Sequence, residues 1–115
     1  MISEHFERRE FECRCGCGFD TVDVELIKYL EKIRNHFNDS VRVSSGCRCQ
    51  EYNRVIGGAT KSQHILGRAA DIFVAGVESA HVADYAELIG VPGVGRYKSF
   101  THIDSRGNIA RWSDR

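Results

Sequence analysis

Residues 62–71 read SQHILGRAAD, which sets an imidazole and a carboxylate seven positions apart with a glycine between them. On an unbroken helix, rising about 1.5 Å per residue, His64 and Asp71 would lie roughly 10 Å apart along the axis, too far to share a ligand. Gly67 opens another route. Glycine reaches backbone angles closed to other residues, so the chain can turn there and bring His64 back beside Asp71, which opens the strand-like run Asp71-Ile72-Phe73-Val74. The stretch therefore predicts half of a metal site. Zinc accepts His nitrogen and Asp oxygen, and a hydrolytic site takes three protein ligands and keeps one position for water. The third ligand is expected from Phe100-Thr101-His102-Ile103-Asp104, where strand alternation puts His102 and Asp104 on one face and Thr101 and Ile103 on the other.

A chain of 115 residues is one domain, large enough to bury most of its unfolded surface. Its formal net charge of zero gives no electrostatic footprint for nucleic acid. No apolar run approaches the ~20 residues that cross a bilayer, so no membrane insertion is expected. The N-terminus MISEHFERREFE lacks the apolar core of a signal peptide, which implies synthesis in the cytoplasm. Cys13, Cys15, Cys17, Cys47 and Cys49 are odd in number, so one at least has no disulfide partner within the chain. Their C-x-C spacings are tighter than those usual in structural zinc sites, although four thiolates from the two clusters could converge. A second metal, a disulfide, and reduced, partly buried thiols all fit this pattern.

Taken in order, residues 1–20 read as an irregular lead-in anchored by Phe6, Phe11 and Phe19. Val24, Ile27, Leu30, Ile33 and Phe37 then recur at helical spacing, with Asp23 as the N-cap and Asn38-Asp39-Ser40 as the stop. Val41 to Ser44 alternates like a strand, and Gln50 to Ile56 is a short helix closed by Gly57-Gly58. Ser79 to Ile89 predicts a second long helix, ended by Gly90 and Pro92. Short strands follow at Val94–Tyr97, Phe100–Asp104 and Ile109–Trp112, the last two expected as a hairpin around Ser105-Arg106-Gly107-Asn108. The fold class is α+β, two main helices on a small, mainly antiparallel sheet. His5, His36 and His81 lie outside any motif and are expected to be solvated.

SQHILGRAAD, followed about thirty residues later by GVGRYKSFTHID, resembles the M15-like zinc metallopeptidases that act as D-alanyl-D-alanine carboxypeptidases or endopeptidases on peptidoglycan, a family that includes phage endolysins. The resemblance runs from CRCGCGFDTVDVELIKYLEKIR through SSGCRCQEYNRVIGG to HIDSRGNIARW. The same zinc-site frame resembles the signalling domain of hedgehog proteins, so fold alone does not establish activity. The resemblance implies one catalytic zinc on His64, Asp71 and His102, and peptidoglycan peptides as the partners of a monomeric enzyme acting at the cell wall.

Many relatives carry an acid three residues before the last histidine, where this chain has Ser99. Asp104 is then the candidate general base, with the alternative that it accepts a hydrogen bond from a ligand histidine and fixes its tautomer. Arg48 matches the arginine of an SGYR-like segment and implies a grip on a substrate carboxylate or carbonyl. Arg68 is a second candidate. Ser62 either donates to the substrate backbone or caps a local turn, and Tyr97 and Trp112 are expected to wall the cleft or pack the core. Two other functions fit the same residues: a zinc-containing binding module for peptidoglycan without catalysis, and a cytoplasmic dipeptidase acting on free D-Ala-D-Ala.

Overall fold

The computed structural model describes residues 2–113. Helix α1 (Val24–Phe37) follows the apolar spacing, with Leu26, Leu30 and Ile33 fully buried. Asp23 is its N-cap residue, as expected, but its side chain makes no capping hydrogen bond; the carboxylate instead accepts from Ser105 Oγ at 2.6 Å, tying the start of the helix to a loop near the C-terminus. Asn38 ends α1 in the left-handed region at φ 52°. There follow β1 (Val41–Ser45), α2 (Gln50–Val55), a 3-10 turn at Gln63–Leu66, β2 (Ala69–Val74), α3 (Ser79–Leu88), β3 (Gly93–Arg96), β4 (Thr101–Asp104) and β5 (Ala110–Ser113). Among the described residues no helix is long and apolar enough to cross a membrane.

The five strands form one mixed sheet in the order β1-β2-β4-β3-β5, antiparallel except where β5 runs parallel to β3. This last pairing corrects the expected hairpin. Both edges of β4 are taken, by β2 and by β3, so the chain leaving β4 adds to the free edge of β3. Parallel neighbours need a crossover of about a dozen residues or more, and residues 97–109, which include β4, supply it.

The pleat divides the sheet's work. Ala70, Ile72 and Val74 of β2, Val94 of β3 and Ile103 of β4 face the core, where they meet Leu26, Leu30 and Ile33 of α1 and Val82, Ala83 and Ala86 of α3. Burying an Ile or Leu side chain contributes about 1.5–3 kcal/mol, so Ile72 and Ile103 hold their strands firmly from behind. The alternate residues Asp71 and His102 project from the opposite face, clear of both long helices.

The lead-in is better fastened than its composition suggests. Phe6 and Phe11 are buried in the core, whereas Phe19 is only partly buried and contributes its carbonyl, which accepts from Cys13 N and Cys47 Sγ. His36 and His81 are exposed as expected, though His36 stacks on Tyr85. His5 is half-buried, and its Nδ1 lies 2.6 Å from Glu31 Oε1 of α1, whose other oxygen accepts from Ser3 Oγ and His5 N. Burial raises the pKa of Glu31, but the hydrogen bonds from Ser3 and His5 outweigh it and hold the carboxyl below its ordinary value.

A carboxylate whose pKa is lower folded than unfolded contributes stability above its unfolded pKa, and that contribution is lost as pH falls through the folded value. Glu31→Gln is therefore expected to cost about 1–3 kcal/mol at neutral pH. The cost should shrink as the pH falls from about 4.3, the ordinary glutamate value, through the lower value of the folded carboxyl. Urea unfolding of both proteins at pH 7 and pH 3 checks this; an equal cost at both contradicts it.

Candidate metal centre and its cleft

Register places the first two groups. Asp71 stands opposite His102 across β2 and β4, so their side chains share one face of the sheet as direct cross-strand neighbours. His64 arrives from the 3-10 turn before β2. Ser62 Oγ accepts from His64 N at 3.2 Å at the start of that turn, and Gly67 ends it at φ 69°, ψ 21°. A Cβ at Gly67 would also lie 2.6 Å from the Thr21 carbonyl oxygen, so backbone angle and space both demand glycine there. Strand β2 begins at Ala69, two residues earlier than the apolar run indicates, and Asp71 sits within it.

His64 Nε2 and His102 Nδ1 lie 3.2 and 3.0 Å from the same oxygen, Asp71 Oδ1. All three residues are buried. The opposite ring nitrogens are already committed: His64 Nδ1 lies 2.6 Å from the Gly46 carbonyl oxygen, and His102 Nε2 lies 2.7 Å from Asp104 Oδ2. A carbonyl and an ionised carboxylate only accept, so those nitrogens carry the protons. In the neutral imidazoles, two lone pairs then point at one carboxylate oxygen, an arrangement that repels unless a cation lies among them. Two imidazole nitrogens and a carboxylate oxygen, with the far nitrogens held by acceptors, are the donor set and outer partners that zinc takes.

Asp104 is wholly buried on the far side of the His102 ring from Asp71. Both its oxygens are engaged, by His102 Nε2 and by a two-pronged contact with Arg106, whose Nε and Nη2 lie 2.8 and 2.7 Å away. Desolvation opposes ionisation here too, but Arg106 and His102 hold the carboxyl well below its ordinary value. Gly93 faces Asp104 across β3 and β4, and a Cβ there would collide with the carboxylate. Gly95, opposite His102, leaves the space that the Trp112 ring fills, since a Cβ would sit 2.5 Å from the indole. These two glycines are therefore spaces for site side chains.

Arg48 grips the other oxygen of Asp71 through Nη2 at 3.2 Å, while Nη1 donates to Asn53 Oδ1 and Nε to Ser45 Oγ. Three of its five N–H donors are thus named, and the rest are free to meet a ligand. The centre opens into a cleft of about 430 Å³ whose lining includes Arg48, Lys61, Ser62, Tyr97, Arg106 and Trp112. Trp112 Nε1 donates to Tyr97 Oη at 2.9 Å, Tyr97 stacks on Phe100, and the Arg106 guanidinium lies over the indole at 5.2 Å. Gln63 Oε1, another lining residue's atom, is buried without a hydrogen-bond partner.

Two sequence candidates lie apart from this cleft. Arg68 is exposed and does not line it, and Asp104 lies behind His102. Ser99 is exposed in the bend before β4, so Asp71 is the one carboxylate among the described residues that line the cleft. Sequence reasoning missed Asn53, Gly93 and Arg106. Arg106 follows the HID segment by two residues, but the reading of 105–108 as a hairpin turn gives its side chain no role.

Comparison with known proteins agrees with this geometry. Residues 4–104 match the Peptidase M15 family model, and the chain belongs to that family. It is also 31% identical over 91 residues to the zinc D-Ala-D-Ala carboxypeptidase of Streptomyces albus G. The alignment covers 73% of this chain and 35% of the relative, so the chain matches about a third of that protein's length.

Gly93→Ala and Asp104→Asn disturb one contact from its two sides. Each is expected to weaken zinc binding at this centre by about 10- to 100-fold through loss of the partner that holds His102. Chelator competition on the folded variants checks this; unchanged affinity in both contradicts the positioning of His102 by Asp104.

Proposed function

We propose that this chain is a zinc metallopeptidase that hydrolyses peptide bonds next to D-alanine in peptidoglycan stem peptides or cross-links, and that it works at the cell wall. The observation that carries the reading is the convergence of His64 Nε2, His102 Nδ1 and Asp71 Oδ1 at the floor of a cleft. Membership of the M15 family and similarity to a zinc D-Ala-D-Ala carboxypeptidase support the substrate class.

His64, Asp71 and His102 would hold the ion. When bound by three protein ligands, zinc keeps a position for water and lowers that water's pKa towards about 7. The rest is the work of side chains. The Gly46 carbonyl and Asp104 keep the protons of His64 and His102 on the nitrogens facing away from Asp71. We accordingly assign Asp104 to positioning His102, because a base must reach the reacting proton and its two oxygens are buried against His102 and Arg106. Arg48 serves the substrate, its unused N–H donors presenting a planar fork to a terminal carboxylate or a scissile carbonyl. Tyr97 and Trp112 form a wall of the cleft.

Mass spectrometry of purified muropeptides incubated with the zinc-loaded protein tests the reading. Loss of a terminal D-alanine or opening of a D-Ala cross-link is expected, and both should vanish in His102→Ala. Cleavage of free D-Ala-D-Ala alone would reassign the enzyme as a dipeptidase. Muropeptide binding without any cleavage would replace the enzyme with a binding module.

Arg48→Lys keeps the charge but loses the fork, and should lower kcat/KM on substrates with a free D-Ala terminus by about 10- to 100-fold, equivalent to the 1.5–3 kcal/mol of a charged hydrogen bond. Steady-state kinetics with zinc content checked on the same preparation decides. Parental kinetics in the variant would remove Arg48 from substrate binding.

A further inference from the structure

Four of the five cysteines meet at a second place, outside the lining of the Asp71 cleft. Cys13 Sγ lies 3.5 Å from Cys15 Sγ and 3.9 Å from Cys49 Sγ, and Cys15 Sγ lies 3.8 Å from Cys49 Sγ. The Cys17 sulfur completes the set, with all four within 4.8 Å of one another. In a tetrahedral site with zinc–sulfur bonds of about 2.3 Å, neighbouring sulfurs stand about 3.8 Å apart. A disulfide would bring a pair to about 2.05 Å, and all five cysteines are free. We infer that Cys13, Cys15, Cys17 and Cys49 bind a second zinc ion as a four-thiolate structural site.

The backbone around the sulfurs suits that role. Cys49 N donates to Cys13 Sγ and Tyr52 N to Cys49 Sγ, each at 3.4 Å, so the sulfurs already receive the N–H bonds that orient and stabilise thiolate ligands. The loop that carries three of them is closed by Cys13 N donating to the Phe19 carbonyl at 2.7 Å, and left-handed Gly16 turns the chain between Cys15 and Cys17. Arg14, between the first two, turns away and donates to the carbonyls of Glu10, Glu12, Val43 and Ser44, which pins the loop to β1. Cys47 is excluded, because its thiol is buried and bonded to the Phe19 carbonyl at 3.0 Å.

The site joins the lead-in to the start of α2, next to the cleft. Cys49 adjoins Arg48, whose backbone N donates to the His64 carbonyl at 3.0 Å while its side chain holds Asp71. Closing a thiolate clip there fixes the segment from which Arg48 reaches the centre. Four thiols give up their protons to solvent as the ion binds, and no electron transfer is involved.

Metal analysis of protein purified under reducing conditions tests the inference. The parent should hold two zinc ions per chain, Cys17→Ser and Cys49→Ser one each, His64→Ala one, and Cys47→Ser two. Cobalt(II) substitution needs no cysteine variant. The cobalt-loaded parent and His64→Ala should both show the intense near-ultraviolet sulfur-to-metal band of a tetrahedral thiolate site. The inference is overturned by a parent holding one zinc that His64→Ala removes, by cobalt spectra lacking the thiolate band, or by a disulfide among the four in freshly purified protein. Because His64→Ala destroys only the cleft centre, failure of the peptidase reading and failure of the thiolate site give separate results.

Discussion

The carboxylate of Asp71 is the point on which this molecule closes. One oxygen faces His64 and His102, and the other is held by Arg48. Those three partners come from a 3-10 turn, the far strand β4 and the segment between β1 and α2, so a single buried group draws together parts of the chain that share no local structure. Burying a charge is costly unless it is paired and hydrogen-bonded, and removing one member of such a set costs about 3–5 kcal/mol because the others are left uncompensated. The arrangement therefore depends on the apolar face beneath it. Ile72 and Ile103, next in sequence to Asp71 and His102, are fully buried against the helices and set the register that puts the polar pair side by side.

A second buried carboxylate supports the first. Asp104 is held by Arg106 and in turn holds His102, and Gly93 provides the room for it. This chain of contacts runs from the loop after β4 through the imidazole to the Asp71 oxygen, so the orientation of the His102 ring depends on Asp104 and Gly93, which do not line the cleft. The parallel addition of β5 extends the same logic. It carries Trp112 over Gly95 and against His102, where its indole also meets Arg106 and Tyr97.

What could be read in advance follows the range of the signals involved. The α1 periodicity, the Gly67 turn and the alternation of 101–104 are local patterns, and each reflects a local constraint: helix spacing, a left-handed angle and the strand pleat. The pairing of β5 was hidden because strand order is set by which edges are already occupied, and nothing within 105–112 records that β4 has none free. Arg106 was lost for the same reason, since its reach back to Asp104 exists only once the chain leaves the sheet instead of doubling back. Asp104 illustrates the limit of alternation. The pleat correctly gave it the face of His102, but which side of the imidazole it occupies depends on Gly93 in another strand. The cysteines were legible as two clusters; their convergence required the long-range docking of the lead-in through Phe6 and Phe11.

Anomalous X-ray scattering at the zinc edge, from crystals of the zinc-loaded protein, tests the central claim most directly. The predicted result is a peak about 2.0–2.2 Å from each of His64 Nε2, Asp71 Oδ1 and His102 Nδ1, with Asp104 outside the coordination sphere and still against the far nitrogen of His102. An ion ligated by Asp104, or no peak among those three atoms in protein saturated with zinc, would contradict it.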